Sequence, residues 1–519
     1  MNIKYFLPLA VAVVLGTASC VKLTEDPKGN LTPGNYFATQ KDLDASVASI
    51  YQKLSVDGAW GFTNKMTSYF GADDLTTDPG LNKQDMREYD KLEGTSTNEG
   101  IKAQWNGPWN AIYQANNVLA NYEKIPGTDA GAMDLKNKSA GQAYFLRALC
   151  YFYLVRTFGQ VPLVDKPADI AVLPPRAEVS AVYELIVSDL KQAAALLPDK
   201  WTGSADVGRA SGLASRALLA HVYLTMAGWP LNQSANFALA ATEADAVIKA
   251  NKFSLVPDYL EVFKTNNNAE SIFSIQFNVG GNVPNRSFGS TCVPLEESGL
   301  DNSGGWDDFY PEVNFFLNAP KCTRTDETFY TVIKKQNPDK KTYTLLPWNS
   351  SATNAKHPYY KKFRYGVGDG VKETDTSIIT IQPSTNKTTD IIRYAETLLI
   401  YAEASAMASG APSAASYDAI NEVRHRAGLL PLKTGLSAAA FRDSVVYERA
   451  YEFAGEFGQR WFDIVRLQLL PKVLAERSKT LEPNAINPTS LTNPAPKYLA
   501  PIPFGDLSLS PGWTQNPSY

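Results

Sequence analysis

Histidine is nearly missing from this chain: among 519 residues there are three, His221, His357 and His425. Chemistry that needs imidazole as base, shuttle or metal ligand therefore has little to draw on. His221 and His425 fall inside apolar helical patterns, where packing is the ordinary role. His357 precedes Pro358-Tyr359-Tyr360 without a cysteine or carboxylate at metal-ligand spacing. A nucleophile elbow, a phosphate-cradling glycine loop and a zinc signature are all absent. So is a strong basic field: the formal net charge is −4, which argues against nucleic acid as a partner. Beyond Cys20 no apolar run approaches the roughly 20 residues of a membrane helix. Cysteine is scarce too. Cys150 lies in an apolar helical pattern and reads as a small core residue. Cys292 and Cys322 fall in loop-rich sequence, where an oxidising compartment would permit a disulfide without requiring one.

What is present begins at Cys20. Lys4 supplies a positive charge, Leu7 to Leu15 is a short apolar run, and Gly16-Thr17-Ala18-Ser19 is a small-residue stretch ending at the cysteine. This is a secretory signal too short to span a bilayer. A cysteine directly after the cut makes it a lipoprotein signal, with Thr17 where an aliphatic residue is usual. Lipid goes on the Cys20 thiol, and residues 1–19 are lost. The alternative is an ordinary secreted protein with a chance cysteine. Each acyl chain contributes about 0.8 kcal/mol per buried methylene, so several make a durable membrane anchor. Residues 20–35 then read as a polar tether to one domain, 36–519.

Within that domain, apolar spacing predicts helices over Lys41–Leu54, Trp105–Lys124, Lys136–Phe158, Ala181–Leu196, Ser211–Ala227 and Asn236–Ala250. In the last, Ala240, Ala244 and Val247 form a small-residue stripe that lets helices approach closely. Arg147-Ala148-Leu149-Cys150-Tyr151 and Arg216-Ala217-Leu218-Leu219-Ala220 match at an offset of 69 residues. That is close to two tetratricopeptide periods of roughly 34. A third relative runs from Tyr394 to Ala404. The fold class expected is mostly α, a scaffold of tetratricopeptide-like helical pairs over about 41–256 and 390–470. Residues 257–389 differ: Ser271–Phe277 alternates as a strand, with Tyr330–Ile333 and Ser377–Ile381 as further candidates. Gly, Asn, Asp and Pro clusters between them mark long loops, which are usually functional or disordered. Helices return over Asp390–Ser409, Ala415–Ala427 and Ser437–Leu469, and the proline-rich residues 471–519 read as a surface wrap. Helices on both sides of the insert imply one intertwined domain.

The aromatics of the loops carry the chemistry. Trp60 and Phe62 stand in a glycine-containing run, Trp306 and Tyr310 in another, and Trp348, Tyr359 and Tyr360 in a polar stretch. A sugar ring has an apolar C–H face and a hydroxyl rim. Trp or Tyr stacks on the first while Asp, Asn or Arg hydrogen-bonds the second. The alternative is that each ring plugs its own loop into the core. Asp73-Asp74 and Asp307-Asp308 are the candidate polar partners, and the only carboxylate pairs that suggest a glycoside hydrolase. Asp301 to Glu312 imitates a calcium loop at its first, third and twelfth positions, but Gly305 and Trp306 stand at the fifth and sixth. The ligand-binding residues expected are therefore Trp60, Phe62, Asp73, Asp74, Trp306, Asp307, Tyr310 and Tyr359, with no catalytic residue, metal or cofactor.

Five segments in order resemble the SusD/RagB family of Bacteroidetes outer-membrane lipoproteins: Trp105–Asn117, Ala143–Val164, Arg393–Glu403, Ile420–Gly428 and Glu448–Leu467. The acidic pair in Val21–Pro27 is also similar to the signal that sends such lipoproteins to the cell surface. The resemblance implies a non-enzymatic nutrient-binding protein, for an oligosaccharide or a peptide. It also implies a partner, a SusC-type TonB-dependent barrel on which the protein sits as a lid. The five segments themselves read as scaffold, with Arg147, Arg393, Glu403, Glu448, Arg449 and Arg460 expected in ion pairs between helices. A lipid-anchored hydrolase and a helical-repeat scaffold that binds only proteins are the competing readings.

Overall fold

Thr39 caps the first long helix through a capping box with Asp42, and the same device recurs down the chain. Asp129, Ser211 and Ser437 each accept a backbone N–H three residues on, satisfying donors that a helix start leaves open. The computed structural model describes residues 36–62, 71–77, 84–167, 174–286, 289–299, 305–366, 376–377, 384–456, 458–478 and 497–519. Cys20 and the signal and tether segments lie outside them.

Ten helices carry the scaffold: α1 Gln40–Ser55, α2 Glu99–Asn121, α3 Ala130–Phe158, α4 Val179–Leu196, α5 Gly212–Met226, α6 Asn236–Lys249, α7 Tyr394–Ser409, α8 Ala414–Arg426, α9 Ala438–Glu452 and α10 Gln459–Arg466. From α1 to α6 each packs mainly on its neighbour in sequence. Then α7 packs on α6, although the insert separates them. The α6 stripe of Ala240, Ala244 and Val247 is fully buried. The helical solenoid is thus continuous in space and interrupted in sequence.

The repeat differs from the one expected. Arg147 lies on α3 and Arg216 on α5, so the 69-residue offset spans one long helical pair and not two short ones. The equivalence is physical. Arg147 forms a two-pronged pair with Asp189 of α4, and Arg216 pairs with Glu243 of α6. Both arginines therefore tie an odd helix to its successor. The third relative, Tyr394–Ala404, lies on α7, again two helices on.

Two strands close the excursion. β3 Ser271–Ile275 pairs antiparallel with β8 Thr389–Arg393, with register shifts near Phe273. The helix expected from Asp390 therefore begins at Tyr394, because pairing with β3 claims the preceding residues. Further out, β5 Val332–Gln336 pairs β6 Tyr343–Pro347, while the two-residue strands β4 Phe329–Tyr330 and β7 Tyr359–Tyr360 pair with each other. Another two-residue pair, β1 Val161–Pro162 with β2 Arg176–Ala177, bridges α3 and α4. Of the Ser377–Ile381 candidate, Ser377 makes an isolated bridge to Thr342 and the rest is outside the described residues.

Other boundaries moved as well: the helix expected from Lys136 starts at Ala130, capped by Asp129. The helix expected from Trp105 starts at Glu99, capped by Asn98, and carries Pro108 inside it. The helix expected over Ser437–Leu469 breaks after Glu452, where Gly455 and Gly458 adopt left-handed φ of 72° and 75°.

Candidate functional site

The aromatic loops are brought together by backbone bonds before any side chain acts. Arg286 donates its N–H to the Gly61 carbonyl at 3.1 Å, and Thr76 and Tyr310 exchange both bonds of an antiparallel bridge. The Asp307 N–H reaches the Val293 carbonyl at 3.1 Å, and the Thr77 hydroxyl donates to the Asp308 carbonyl at 2.6 Å. Gly305 makes this convergence possible: a Cβ there would lie 2.0 Å from the Val293 carbonyl oxygen.

Phe62 and Trp306, 244 positions apart, meet edge to face with centroids 6.4 Å apart. The Arg286 guanidinium lies 5.1 Å from the Phe62 ring and 5.9 Å from that of Trp306. Both rings are partly exposed. A cation shared between two rings stiffens the pair and sets a planar donor fork beside apolar faces. Sequence reasoning missed Arg286, although an arginine flanked by Asn285 and Ser287 in a polar loop is the signal that was there.

The other expected site residues are placed differently. Trp60 is 3% exposed and packs on Tyr153 of α3, so its ring fills the core and offers no stacking face. Its segment crosses α2 at Gly107, where a Cβ would lie 2.1 Å from the Gly58 carbonyl oxygen. Tyr310 and Tyr359 are also buried, Tyr310 stacked on His357 with centroids 4.1 Å apart. The Tyr359 hydroxyl donates to the Asp307 carboxylate at 2.6 Å, which fixes the Trp306 loop from below. Asp307, with φ at 54°, and Asp308 are both buried.

Asp73 and Asp74 serve the scaffold as well. Asp73 takes two 2.6 Å bonds from the Arg460 fork. Asp74 accepts the Gly455 N–H at 2.7 Å, while its other carboxylate oxygen is buried without a hydrogen bond. Burial first, and the neighbouring Asp73 second, push its pKa up to about 7 from 3.8. A raised carboxylate pKa means the folded state holds the proton while the unfolded chain has already released it. Stability is therefore full below pH 4 and falls as pH climbs toward 7, after which the loss levels off. Asp74→Asn is expected to flatten this segment of the stability curve; urea unfolding at pH 5 and pH 8 measures it.

The twelfth position of the calcium-like loop has another role. Glu312 accepts the N–H groups of Phe315 and Ser478, so it caps a helical turn. Asp301 to Gly304 lie outside the described residues. Among those described, no cluster of three or more His, Cys, Asp or Glu is arranged to hold a metal. Cys292 and Cys322 are not joined by a disulfide: Cys292 is buried in the core of the insert, while Cys322 precedes the Thr323–Thr328 turn with its sulfur 3.4 Å from the Thr325 hydroxyl.

The signature residues expected in ion pairs are all buried or half-buried and paired. Arg147 meets Asp189, Arg460 meets Asp73, Arg449 meets Asp463, and Glu403 takes both prongs of Arg466. Arg393 pairs with Glu270, Glu452 and Glu456, and Glu448 with Arg324 and Arg424.

A family model described as the SusD family matches residues 317–519, and one described as starch-binding and associating with the outer membrane matches residues 32–224. The SusD-like protein P2 of Formosa agariphila is 28% identical over 525 aligned residues, covering 96% of each chain. A SusD homolog from Bacteroides thetaiotaomicron superposes at a TM-score of 0.79 with 22% identity, covering 94% of this chain and 98% of that one. Surface glycan-binding protein A of the same species, solved with laminarihexaose, superposes at 0.71 with 21% identity over 92% of this chain and all of its own. The two models together match residues 32–224 and 317–519, which carry nearly all of the helical scaffold, and the chain belongs to the SusD/RagB family.

Proposed function

We propose that this protein is a non-catalytic glycan-binding lipoprotein of the outer membrane, and that it holds an oligosaccharide on the Phe62–Arg286–Trp306 surface. The observation that carries this reading is that cluster: two partly exposed rings from distant loops share one guanidinium. Stacking on the rings serves the apolar face of a sugar, and the Arg286 guanidinium holds the two rings in place for it. A matching family model described as starch-binding, and a structural neighbour solved with laminarihexaose, support a glycan over a peptide. The hydrolase reading loses its support, since Asp73 is held by Arg460 and Asp74, Asp307 and Asp308 are buried.

A glycan array run beside a peptide library, with a product assay on each hit, tests the proposal. Glycan hits without turnover are expected, and peptide hits alone would replace the ligand. Delivery to a SusC-type TonB-dependent barrel is part of the proposal. The solubilised protein should co-purify with an outer-membrane protein of barrel size when cells grow on the inducing nutrient, through an interface above about 1,000 Å².

Anchoring is tested separately. Cys20→Ala removes the thiol that lipid requires, so the variant is expected to leave the membrane fraction or persist as an uncleaved precursor. Metabolic labelling with a fatty acid reads the outcome, and label retained by the variant would refute the anchor.

A further inference from the structure

A second cavity, built from none of the aromatic-loop residues, lies where the last turn of α3 meets α5, α10 and the C-terminal tail. Its volume is about 360 Å³. Val155, Tyr183, Trp229, Phe462, Val465 and Leu499 give it largely apolar walls, while Pro230, Thr514 and Pro517 at its rim are exposed to solvent. The tail is docked there by specific bonds. Ala500 donates its N–H to the Thr157 carbonyl at 2.7 Å, and Asn516 donates to the Phe158 and Ala500 carbonyls. Arg176 ties the same tail through Asn516 and the Thr514 carbonyl.

One cation in this cavity is held by rings instead of a carboxylate. Arg156 has its guanidinium carbon 3.7 Å from the Phe152 centroid and 3.9 Å from that of Phe462. Its Nε donates to the Phe152 carbonyl at 3.1 Å, and its two terminal nitrogens have no hydrogen-bond partner among the described residues. The nearest acids are spent elsewhere: Glu396 faces His221 at 3.0 Å, and Asp463 is shared by Arg449 and Arg466. Of the other two arginines of the wall, Arg466 is matched by Glu403, and the Arg176 guanidinium is taken up by the Gln160 and Thr514 carbonyls and the Asn516 side chain. Burial lowers the Arg156 pKa to about 10, which leaves it charged at neutral pH.

A fixed planar fork with two unused donors, at the wall of an apolar cavity, matches a planar anion with an apolar body. We propose that this cavity binds a small amphipathic carboxylate, its oxygens on the Arg156 fork and its apolar body against Trp229, Val465 and Leu499. The volume suits a body of phenylpropyl size. The site is independent of the glycan surface, so either proposal stands if the other fails.

Titration calorimetry with 3-phenylpropanoate, against the uncharged 3-phenylpropanamide, tests it on the intact domain. Saturable one-to-one binding of the acid is expected with Kd below about 1 mM, and at least roughly tenfold weaker binding of the amide. Arg156→Met, which keeps an unbranched chain between the two rings, should abolish binding of the acid. Arg156→Lys, which keeps charge but loses the fork, should fall between. If Arg156→Met does not melt cooperatively, Leu499→Trp, which narrows the cavity at its rim, carries the test and should weaken binding by a similar factor. No saturation in the wild type, equal binding of acid and amide, or full binding by a folded Arg156→Met or Leu499→Trp protein would overturn the proposal.

Discussion

Glu452→Gln is expected to destabilise the domain by at least about 3–5 kcal/mol, the usual cost of breaking a buried ion pair from one side. Glu452 is fully buried on α9 and accepts bonds from Arg324, Arg393 and Arg426. Burial pushes its pKa up, but those three guanidiniums outweigh it and hold the carboxyl down at about 2. The amide has nearly the same volume, so little packing is lost. What is lost is the charge that compensates three cations in a low-dielectric interior. Glu448, Glu270 and Glu456 remain to serve Arg324, Arg393, Arg424, Arg426 and Lys362, so the shortfall of carboxylates in this cluster of described residues widens from one to two. Urea unfolding read by circular dichroism measures the loss. Arg424→Ala is the comparison, because its side chain is 18% exposed and pairs only with Glu448, so it should cost much less. The sign with pH follows from a depressed carboxylate: the stabilisation is present above the unfolded value of 4.5 and is lost as pH falls toward 2. That is the reverse of Asp74.

Trp306→Ala should weaken glycan binding by roughly thirtyfold, about 2 kcal/mol, with a nearly unchanged melting temperature. Its ring is partly exposed and meets Phe62 and Arg286 at the surface, so its removal exposes little core. Trp60→Ala should do the opposite. Its ring is buried against Tyr153 in the main core, where losing an indole costs about 3–5 kcal/mol and lowers the melting temperature by several degrees. Calorimetry on both variants, with and without a glycan identified by array, separates the two roles. Unchanged affinity in a folded Trp306→Ala protein would remove this surface from the site.

The difference between Trp60 and Phe62 shows where reading the sequence stops. Two residues apart in one glycine-containing run, they look alike as loop aromatics. Which one turns inward is decided by Gly107, forty-five positions further along the chain from Phe62, where only a missing Cβ admits the Gly58 carbonyl. The scaffold was far more legible. Helix caps such as Thr39 and Ser211 act locally, apolar spacing repeats every turn, and a buried arginine such as Arg147 betrays itself by standing in apolar helical sequence. Strand β8 was hidden for the opposite reason: its residues become extended only through a partner more than a hundred positions earlier. Tyr310 and Tyr359 misled because a polar loop can turn its rings inward on its own backbone bonds, as the Thr76 bridge does here.

The join between α6 and α7 has a kinetic meaning. Helices α1 to α6 contact their immediate successors, so each can dock as soon as it emerges, at a small loop-closure cost. The part of α6 that packs on α7 has to wait until α7 arrives from the far side of the insert. Until then an apolar face stands open at the end of a half-built stack. The β3–β8 pair shortens that wait by drawing the two ends of the excursion together. Assembly of this molecule is therefore local for its first half and depends on distant closures for its second.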